Sequence, residues 1–263
     1  MRKGFPMAIR GLYVLHNADA KVDQSLFLAG RSMGKKIDSP VFVYFIRADE
    51  GNILFDAGCD PDIIRDAKKA WGSAADYLSI SMRAEWDIRQ YLRALHLTPQ
   101  DVHYLVLSHL HIDHAGALRY FPQSRILVQK DEYRFAYHPS DWAASNYRKA
   151  DFDYPDLKWQ LINGDYLLFK GATVILSQGH SPGTQALAID LPQTGTVILA
   201  GDSIPLRRNV EKGILPGILW DSGLAMKSIQ RLKVIAEERS GTIFPGHDAE
   251  IFKEQKKFPD FYA

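Results

Sequence analysis

One stretch of the chain limits its fold and its chemistry more than any other. The apolar run Tyr104–Leu107 has the length and composition of a buried strand. It leads directly into a loop, residues 108–116, that holds three histidines and one aspartate within six residues: His109, His111, Asp113 and His114. Imidazole and carboxylate groups at this density are typical of a metal site. Because alternating loop residues can turn toward one point, His109 and His111 could share one ion, while Asp113 and His114 serve a neighbouring ion.

Three more candidate ligands follow strand-like runs further along the chain. They are His180 in Gly179–Gly183, Asp202 after Leu199–Gly201, and His247 after Thr242–Gly246. Taken singly, each is more simply explained as a solvated loop residue. Each, however, follows an apolar run with glycine beside it, as the first cluster does, and a carboxylate can bridge two cations with its two oxygens. The joint pattern therefore predicts two metal sites, with Asp202 shared between them.

The rest of the chain reads as strands with helices between them. Apolar and β-branched runs predict strands at 41–46, 53–56, 104–107, 125–129, 166–169, 173–176, 186–189, 197–200 and 242–244. Helical spacing predicts helices at 61–75, 82–95 and 130–137, and another that Asp221 caps and that buries Ala225, Ile229 and Leu232. This order favours an α+β fold of two packed sheets flanked by helices. No linker or repeat divides the chain, so we expect a single domain over residues 1–263.

Composition narrows the classes of partner and compartment. The 263 residues carry 32 Lys and Arg against 31 Asp and Glu, so no broad surface for nucleic acid is expected. The single cysteine, Cys59, cannot form an intramolecular disulfide, which fits a reducing compartment. No targeting segment is expected at the basic start of the chain, since the apolar stretch at residues 11–15 is short, and no window reaches the roughly 20 apolar residues of a membrane span. We therefore expect a cytoplasmic protein without a membrane partner, as a monomer or homodimer.

Taken together, these motifs resemble the metallo-β-lactamase superfamily, over nearly the full length of the chain. The likeness runs from Asp56-Ala57-Gly58 through the histidine loop to Gly246-His247-Asp248. Within the superfamily, the chain is most similar to the N-acyl homoserine lactone lactonases, in stretches that include Gly179–Gln185 and Ser228–Lys233. The resemblance implies an αββα sandwich of two mixed sheets, with two metal ions at one edge.

The resemblance also implies a role for each candidate ligand. His109, His111 and His180 would hold the first ion, Asp113, His114 and His247 the second, and Asp202 would bridge them. The ions would be zinc, with iron, cobalt or manganese as alternatives. A hydroxide bridging the metals would attack a lactone or ester carbonyl, and Asp113 would orient it and carry the proton to the leaving alkoxide. Ser108, Ser181 and Asp56 would act by hydrogen bonding to or near the ligands.

One position departs from the family pattern. The lactonases typically have a substrate-contacting tyrosine three residues after the bridging aspartate, where this chain has Pro205. Tyr137, Tyr147 and Tyr154 are the candidates to replace it. The segment 138–154 has the composition of a long connection or lid, and 204–220 that of a pocket wall.

Four alternative functions remain open at this point. The same scaffold could hydrolyse other esters, thioesters or organophosphates. It could also serve an iron-dependent oxidoreductase, a nuclease, or a protein that binds metal without catalysis. An oxidoreductase is less favoured because the chain keeps all seven ligands and has no length for a flavin domain. A nuclease is less favoured because the chain lacks a basic arm. A protein that binds metal without catalysis is less favoured because a structural site would need the ligands of only one metal.

Overall fold

A computed structural model describes residues 9–263 of the chain. Residues 1–8, where the sequence predicts no targeting segment, lie outside the described part. The strands are β1 Ile9–Asp23, β2 Lys36–Ala48, β3 Asn52–Phe55, β4 Val102–Val106, β5 Arg125–Gln129, β6 Lys158–Ile162, β7 Tyr166–Phe169, β8 Ala172–Leu176, β9 Gln185–Leu191, β10 Gly195–Leu199 and β11 Thr242–Phe244. The α-helices are α1 Ile63–Trp71, α2 Ser73–Leu78, α3 Ile88–Ala94, α4 Lys130–Tyr137, α5 Lys149–Phe152, α6 Arg207–Lys212, α7 Ser222–Glu238 and α8 Ala249–Glu254.

The strands form two mixed sheets. The first has six strands in the order β1-β2-β3-β4-β5-β6, antiparallel from β1 to β3 and parallel from β3 to β6. The second has five strands in the order β11-β10-β9-β8-β7, in which β10 and β11 are parallel and the remaining pairs are antiparallel. β4 and β11 each end just before predicted metal ligands, so the ends of these two strands mark the edge of the sandwich where the site is expected.

The two sheets pack face to face through an apolar layer. Phe55 and Val106 from the first sheet meet Leu187 and Leu199 from the second in one buried cluster. Another cluster covers the outer face of the first sheet and includes Ile88 and Leu92 of α3. On the outer face of the second sheet, α7 buries its apolar stripe, Ala225, Ile229, Leu232 and Ala236. The layers are therefore helix, sheet, sheet, helix, as the resemblance implies.

The structure confirms most of the predicted elements and adds two strands. β1 was not predicted, because His16, Asn17 and Asp19 interrupt its apolar residues; its register with β2 shifts between His16 and Ala18. β6 was also missed, because it is a partly exposed edge strand. These two strands complete the first sheet.

Two predicted helices are divided in the structure. The helix expected over 82–95 is a 3-10 turn at Ala84–Trp86 followed by α3, because the side chain of Asp87 caps α3 at the amide of Arg89. The helix expected over 61–75 is divided into α1 and α2 at Gly72, whose φ is 59°. The predicted cap at Asp221 is present and accepts a hydrogen bond from the amide of Leu224. None of the helices in the described part of the chain is long and apolar enough to cross a membrane.

Candidate metal centre

Close backbone packing brings the ends of β3 and β4 together. The amide of Ala57 donates to the carbonyl of His114 and the amide of Gly116 to that of Gly58, both at 2.7 Å. A Cβ added to Gly116 would lie 2.1 Å from the amide nitrogen of Asp60, so only glycine permits this approach. The histidine loop is therefore held against the turn that carries Asp56.

The seven predicted ligands converge at this edge of the sandwich. Three groups of their nitrogen and oxygen atoms each lie within 4.8 Å of one another: His109, His111 and His180; His109, His114 and Asp202; and Asp113, His114 and His247. The first and third groups are the two ligand sets that the resemblance implies. His109, His114 and Asp202 connect the two sets.

Hydrogen bonds fix the orientation of four of the five imidazoles. Their Nδ1 atoms are bonded to an oxygen: Ser108 Oγ for His109 (2.9 Å), Asp56 Oδ2 for His114 (2.8 Å), the Ile218 carbonyl for His180 (3.1 Å) and the Pro40 carbonyl for His247 (3.0 Å). Their Nε2 atoms are thereby left to face the centre, as is usual for metal-binding histidines. His111 is turned the other way, and its Nδ1 lies 3.0 Å from Nε2 of His180.

Asp202 faces both ligand sets with different oxygens. Its Oδ2 lies 3.3 Å from Nε2 of His180. Its Oδ1 lies 3.4 Å from Nε2 of His114 and 2.9 Å from Nε2 of His247. A carboxylate placed in this way can contribute one oxygen to each of two neighbouring cations.

The first ligand set is held in the neutral form. Burial lowers the pKa of His109 and of His111 well below the usual imidazole value, and it lowers the pKa of His180 as well. Neighbouring imidazoles add to the effect at His109 and His111. A neutral imidazole has a free lone pair on one nitrogen, which is the form that binds metal.

For the two histidines beside the carboxylates, His114 and His247, the pKa is raised instead of lowered. Burial opposes the charged form of His114, but Asp113 and Asp56 raise its pKa well above the usual value, and Asp202 does the same more weakly for His247. Against the effect of burial, these imidazoles lower the pKa of Asp113 and of Asp202. Both carboxylates are therefore ionised at neutral pH, which is the form of a carboxylate that binds a cation.

Unpartnered ring nitrogens support a metal at this position. Nε2 of His109 and Nε2 of His114 are buried and have no hydrogen-bond partner. A buried polar atom without a partner is costly, so such atoms are uncommon unless an ion or water satisfies them. Because these two nitrogens belong to groups of suitable ligand atoms, the donor set fits two divalent cations.

A cavity of about 630 Å³ opens onto the ligands. Its floor includes His111, Asp113 and His180, and the other lining residues are mostly apolar: Ala20, Val22, Leu26, Phe27, Val41, Trp71, Ala74, Tyr77, Leu78 and Ile80. Trp142, Ser145 and Asn146 also border it. Part of the predicted lid segment therefore does reach the cavity.

The candidates to replace the tyrosine do not line this cavity. The hydroxyl of Tyr147 donates to Glu132, that of Tyr137 to Asp153, and that of Tyr154 to the carbonyl of Ala150. All three hydroxyls are therefore hydrogen-bonded within the protein instead. Tyr147 is nevertheless close to the centre, because its ring contacts that of His111 with centroids 4.7 Å apart.

The predicted pocket wall is only partly confirmed. Within residues 204–220, Gly217, Ile218 and Leu219 line the cavity. Leu206 and Ile214 instead pack in the cluster around α1 and α2, while Val210 and Leu215 pack near α7. Pro205 contributes a backbone hydrogen bond, since its carbonyl accepts the amide N–H of His247 at 2.9 Å.

Comparison with known proteins gives one consistent result. Residues 37–247 match the family described as the metallo-beta-lactamase superfamily. The chain is 33% identical to the N-acyl homoserine lactonase AttM of Rhizobium radiobacter, covering 96% of this chain and 98% of that protein. It is 32% identical to the N-acyl homoserine lactonase AiiA of Bacillus thuringiensis subsp. kurstaki, covering 97% and 100%. A solved structure of an N-acyl homoserine lactone hydrolase, with N-hexanoyl-L-homoserine bound at its catalytic metal centre, superposes with a TM-score of 0.87 at 32% identity, covering 97% of this chain and 100% of that one.

Proposed function

The chain belongs to the metallo-beta-lactamase superfamily, and on that basis we propose that it is a metal-dependent hydrolase that opens the lactone ring of N-acyl homoserine lactones. The single observation that carries the proposal is the convergence of the three His and Asp groups at the floor of one mostly apolar cavity. The curated lactonases that it resembles over nearly their whole length supply the substrate class.

The walls of the cavity favour a neutral substrate with an apolar arm. Among the described residues that line it, none is Lys or Arg, and the acidic ones are Asp113 and Asp202 at the floor. A phosphate-bearing thioester would therefore find no Lys or Arg side chain among these lining residues. An acyl chain attached to a neutral lactone suits both the apolar walls and the cavity volume.

We assign the first and third of these groups as the two ligand sets. His109, His111 and His180 would hold one ion, Asp113, His114 and His247 would hold the other, and Asp202 would be shared between them. Imidazole and carboxylate ligands suit zinc, which we propose as the native metal. When bound, two such ions would supply a water of lowered pKa and polarise the carbonyl oxygen of the substrate.

Asp113 is the residue that we propose handles the proton. Its side chain is 24% exposed and borders the cavity. The other six ligands are buried. Its lowered pKa leaves the carboxylate ionised at neutral pH, the form that would accept a proton from the attacking water and pass it to the alkoxide oxygen of the opened ring. No serine or cysteine nucleophile is required.

The remaining features of the proposal concern the whole protein. We propose that residues 1–263 form a single domain, working as a monomer or homodimer in the cytoplasm. The compartment is supported by the single cysteine, Cys59, which is buried and unpaired.

A screen of chemically distinct substrates tests the proposed function. Ring opening releases a proton, so a pH indicator can follow hydrolysis of acyl homoserine lactones, simple esters and phosphotriesters by the zinc-loaded enzyme. We expect turnover of the lactones. Activity on phosphotriesters with none on lactones would overturn the substrate assignment in favour of the alternative hydrolase.

Variants connect this activity to the metal centre. We expect His111→Ala and Asp202→Ala to lower kcat/KM more than about 100-fold, because losing even a group that only orients a ligand costs ~10–100-fold. His96→Asn, at an exposed histidine with φ of 59°, is the matched control and should behave as the wild type. Near-normal activity of either ligand variant would contradict the mechanism.

A further inference from the structure

Glu132 is a buried carboxylate that the proposed mechanism does not use. It lies in the first turn of α4, and no part of the residue is exposed. Neither the histidine loop nor the loop of His180 is adjacent to it in sequence. Its side chain nevertheless contacts both loops.

Four donors converge on this one carboxylate. Its Oε1 accepts the amide of Leu110 at 3.0 Å and the hydroxyl of Tyr147 at 3.1 Å. Its Oε2 accepts the amide of Gly183 at 3.1 Å and the hydroxyl of Ser181. Each oxygen therefore binds one backbone N–H and one side-chain O–H.

Three of these donors belong to residues next to the first ligand set. Leu110 lies between His109 and His111 in the chain, and Ser181 directly follows His180. Tyr147 places its ring against that of His111, with centroids 4.7 Å apart.

The contact is close as well as polar. A Cβ added to Gly183 would lie 2.5 Å from Cβ of Glu132, so the loop that carries His180 packs directly on α4. The carboxylate thus joins the loops that carry all three histidines of the first set.

We propose that Glu132 is a positioning residue that sets the separation of the loops carrying His109, His111 and His180, and so the metal affinity of that site. The inference rests on the proposed function, because it takes those histidines to be metal ligands. It predicts that the side chain acts without touching the metal or the substrate.

Glutamine at this position is the informative substitution. It keeps the shape of the side chain but replaces one oxygen with an NH₂ group, which only donates. Whichever way the amide is turned, the backbone N–H of Leu110 or of Gly183 would then face another donor. Because a buried N–H without an acceptor is unfavourable, one of the two loops must shift.

Metal binding by the full-length, metal-stripped protein tests this inference without relying on turnover. Co²⁺ is titrated into the wild type and Glu132→Gln, and the affinity is read from visible absorption in competition with a chelator. We expect binding to be weakened about 10-fold or more in Glu132→Gln. Asp131→Asn removes a neighbouring, exposed charge from the same helical turn and should bind as the wild type does.

The outcomes separate this inference from the proposed function. If the wild type binds two Co²⁺ and Glu132→Gln binds them equally well, the positioning role is overturned while the lactonase proposal stands. If the wild type binds no Co²⁺, both are overturned. Should Glu132→Gln not fold, Tyr147→Phe and Ser181→Ala each remove one donor to the carboxylate. Weaker Co²⁺ binding by them supports the inference, and wild-type affinity in both overturns it.

Discussion

Asp56 illustrates how one side chain can organise the centre without being a ligand. Its carboxylate accepts from the amide of Ser108 at 2.6 Å, from the hydroxyl of Ser108 at 2.8 Å, and from Nδ1 of His114 at 2.8 Å. The same Ser108 hydroxyl lies 2.9 Å from Nδ1 of His109. One carboxylate therefore fixes the orientation of a histidine in each ligand set, directly or through Ser108.

This arrangement predicts the effect of Asp56→Asn. The amide would offer a donor where His114 or Ser108 already donates, so the imidazoles would lose their fixed orientation, and we expect kcat/KM to fall ~10–100-fold. Steady-state kinetics on a lactone, with metal content measured in parallel, checks this. Asp49→Asn is the control, because Asp49 is an exposed partner of Arg10 and such surface pairs contribute little. Equal kinetics in the two variants would contradict the role of Asp56.

Single residues differ in how far the sequence reveals them. The convergence of the seven candidate ligands was predictable because each follows a strand-like run with glycine nearby, and strand ends meet at one edge of a sandwich. Asp56 was suggested as an orienting group for a ligand histidine, and the structure confirms its contact with His114. Glu132 carries no such signal, because its partners lie from 15 to 51 residues away in the chain.

At the scale of elements, the segment 138–154 forms part of the cavity and is anchored at its far end. Arg148 pairs with the buried Asp60 at 2.9 Å, and the carbonyl of Asn146 accepts the amide of Ile112 at 3.0 Å, between His111 and Asp113. Trp142 at the cavity rim is 60% exposed. The anchored end supports the histidine loop, and the exposed indole borders the cavity in which the acyl arm of the proposed substrate would lie.

Trp142→Ala should therefore affect long acyl chains more than short ones. Losing half-exposed aromatic surface costs about 1 kcal/mol when a ligand would have covered it, or roughly 5-fold in KM. Comparing decanoyl and butanoyl homoserine lactones by steady-state kinetics checks this, with the expected increase confined to the longer substrate. An equal change in KM for both would show that Trp142 does not contact the chain.

The anchor of this segment also predicts a dependence of stability on pH. Asp151 is buried, and although its carboxylate lies 3.1 Å from Nη1 of Arg148, burial raises its pKa to about 7. Because the folded-state pKa lies above the unfolded value, the contribution of Asp151 is full at low pH and is lost as pH rises toward 7. The loss is at most about 1.4 kcal/mol per pH unit.

Asp151→Asn removes this titration. Urea unfolding of both proteins at pH 5 and pH 7.5 should show the wild type losing stability relative to the variant at the higher pH. Parallel changes in the two proteins would mean that Asp151 has an ordinary pKa in the folded state.

Elements were predictable wherever their local pattern agreed with their packing. The strands β4, β9 and β10 are built mainly from buried apolar residues, and α7 carries a regular apolar stripe. β1 was missed because polar residues interrupt its apolar pattern where its register with β2 shifts. That shift is set by the pairing with β2 and not by the local sequence. The cavity walls were also beyond local prediction, since they combine β1, β2, α1 and α2 from distant parts of the chain.

At the scale of the whole molecule, the metal centre joins the two sheets at one edge. The histidine loop follows β4 of the first sheet. The other three candidate ligands adjoin strands of the second sheet: His180 precedes β9, Asp202 follows β10 and His247 follows β11. With no cation present, the buried carboxylates and the unpartnered ring nitrogens would oppose folding. Metal bound only by the folded state should therefore add about 3–4 kcal/mol at 100 to 1,000 times its Kd.

Metal stoichiometry tests the central claim most directly. Protein purified without chelators is analysed by elemental mass spectrometry, for the wild type and for His111→Ala and His247→Ala, one from each ligand set. Two equivalents of a divalent metal per wild-type chain, with about one lost in each variant, is the result that the arrangement of the seven ligands predicts. A wild type that holds no metal after incubation with Zn²⁺, or variants that keep both ions, would contradict it.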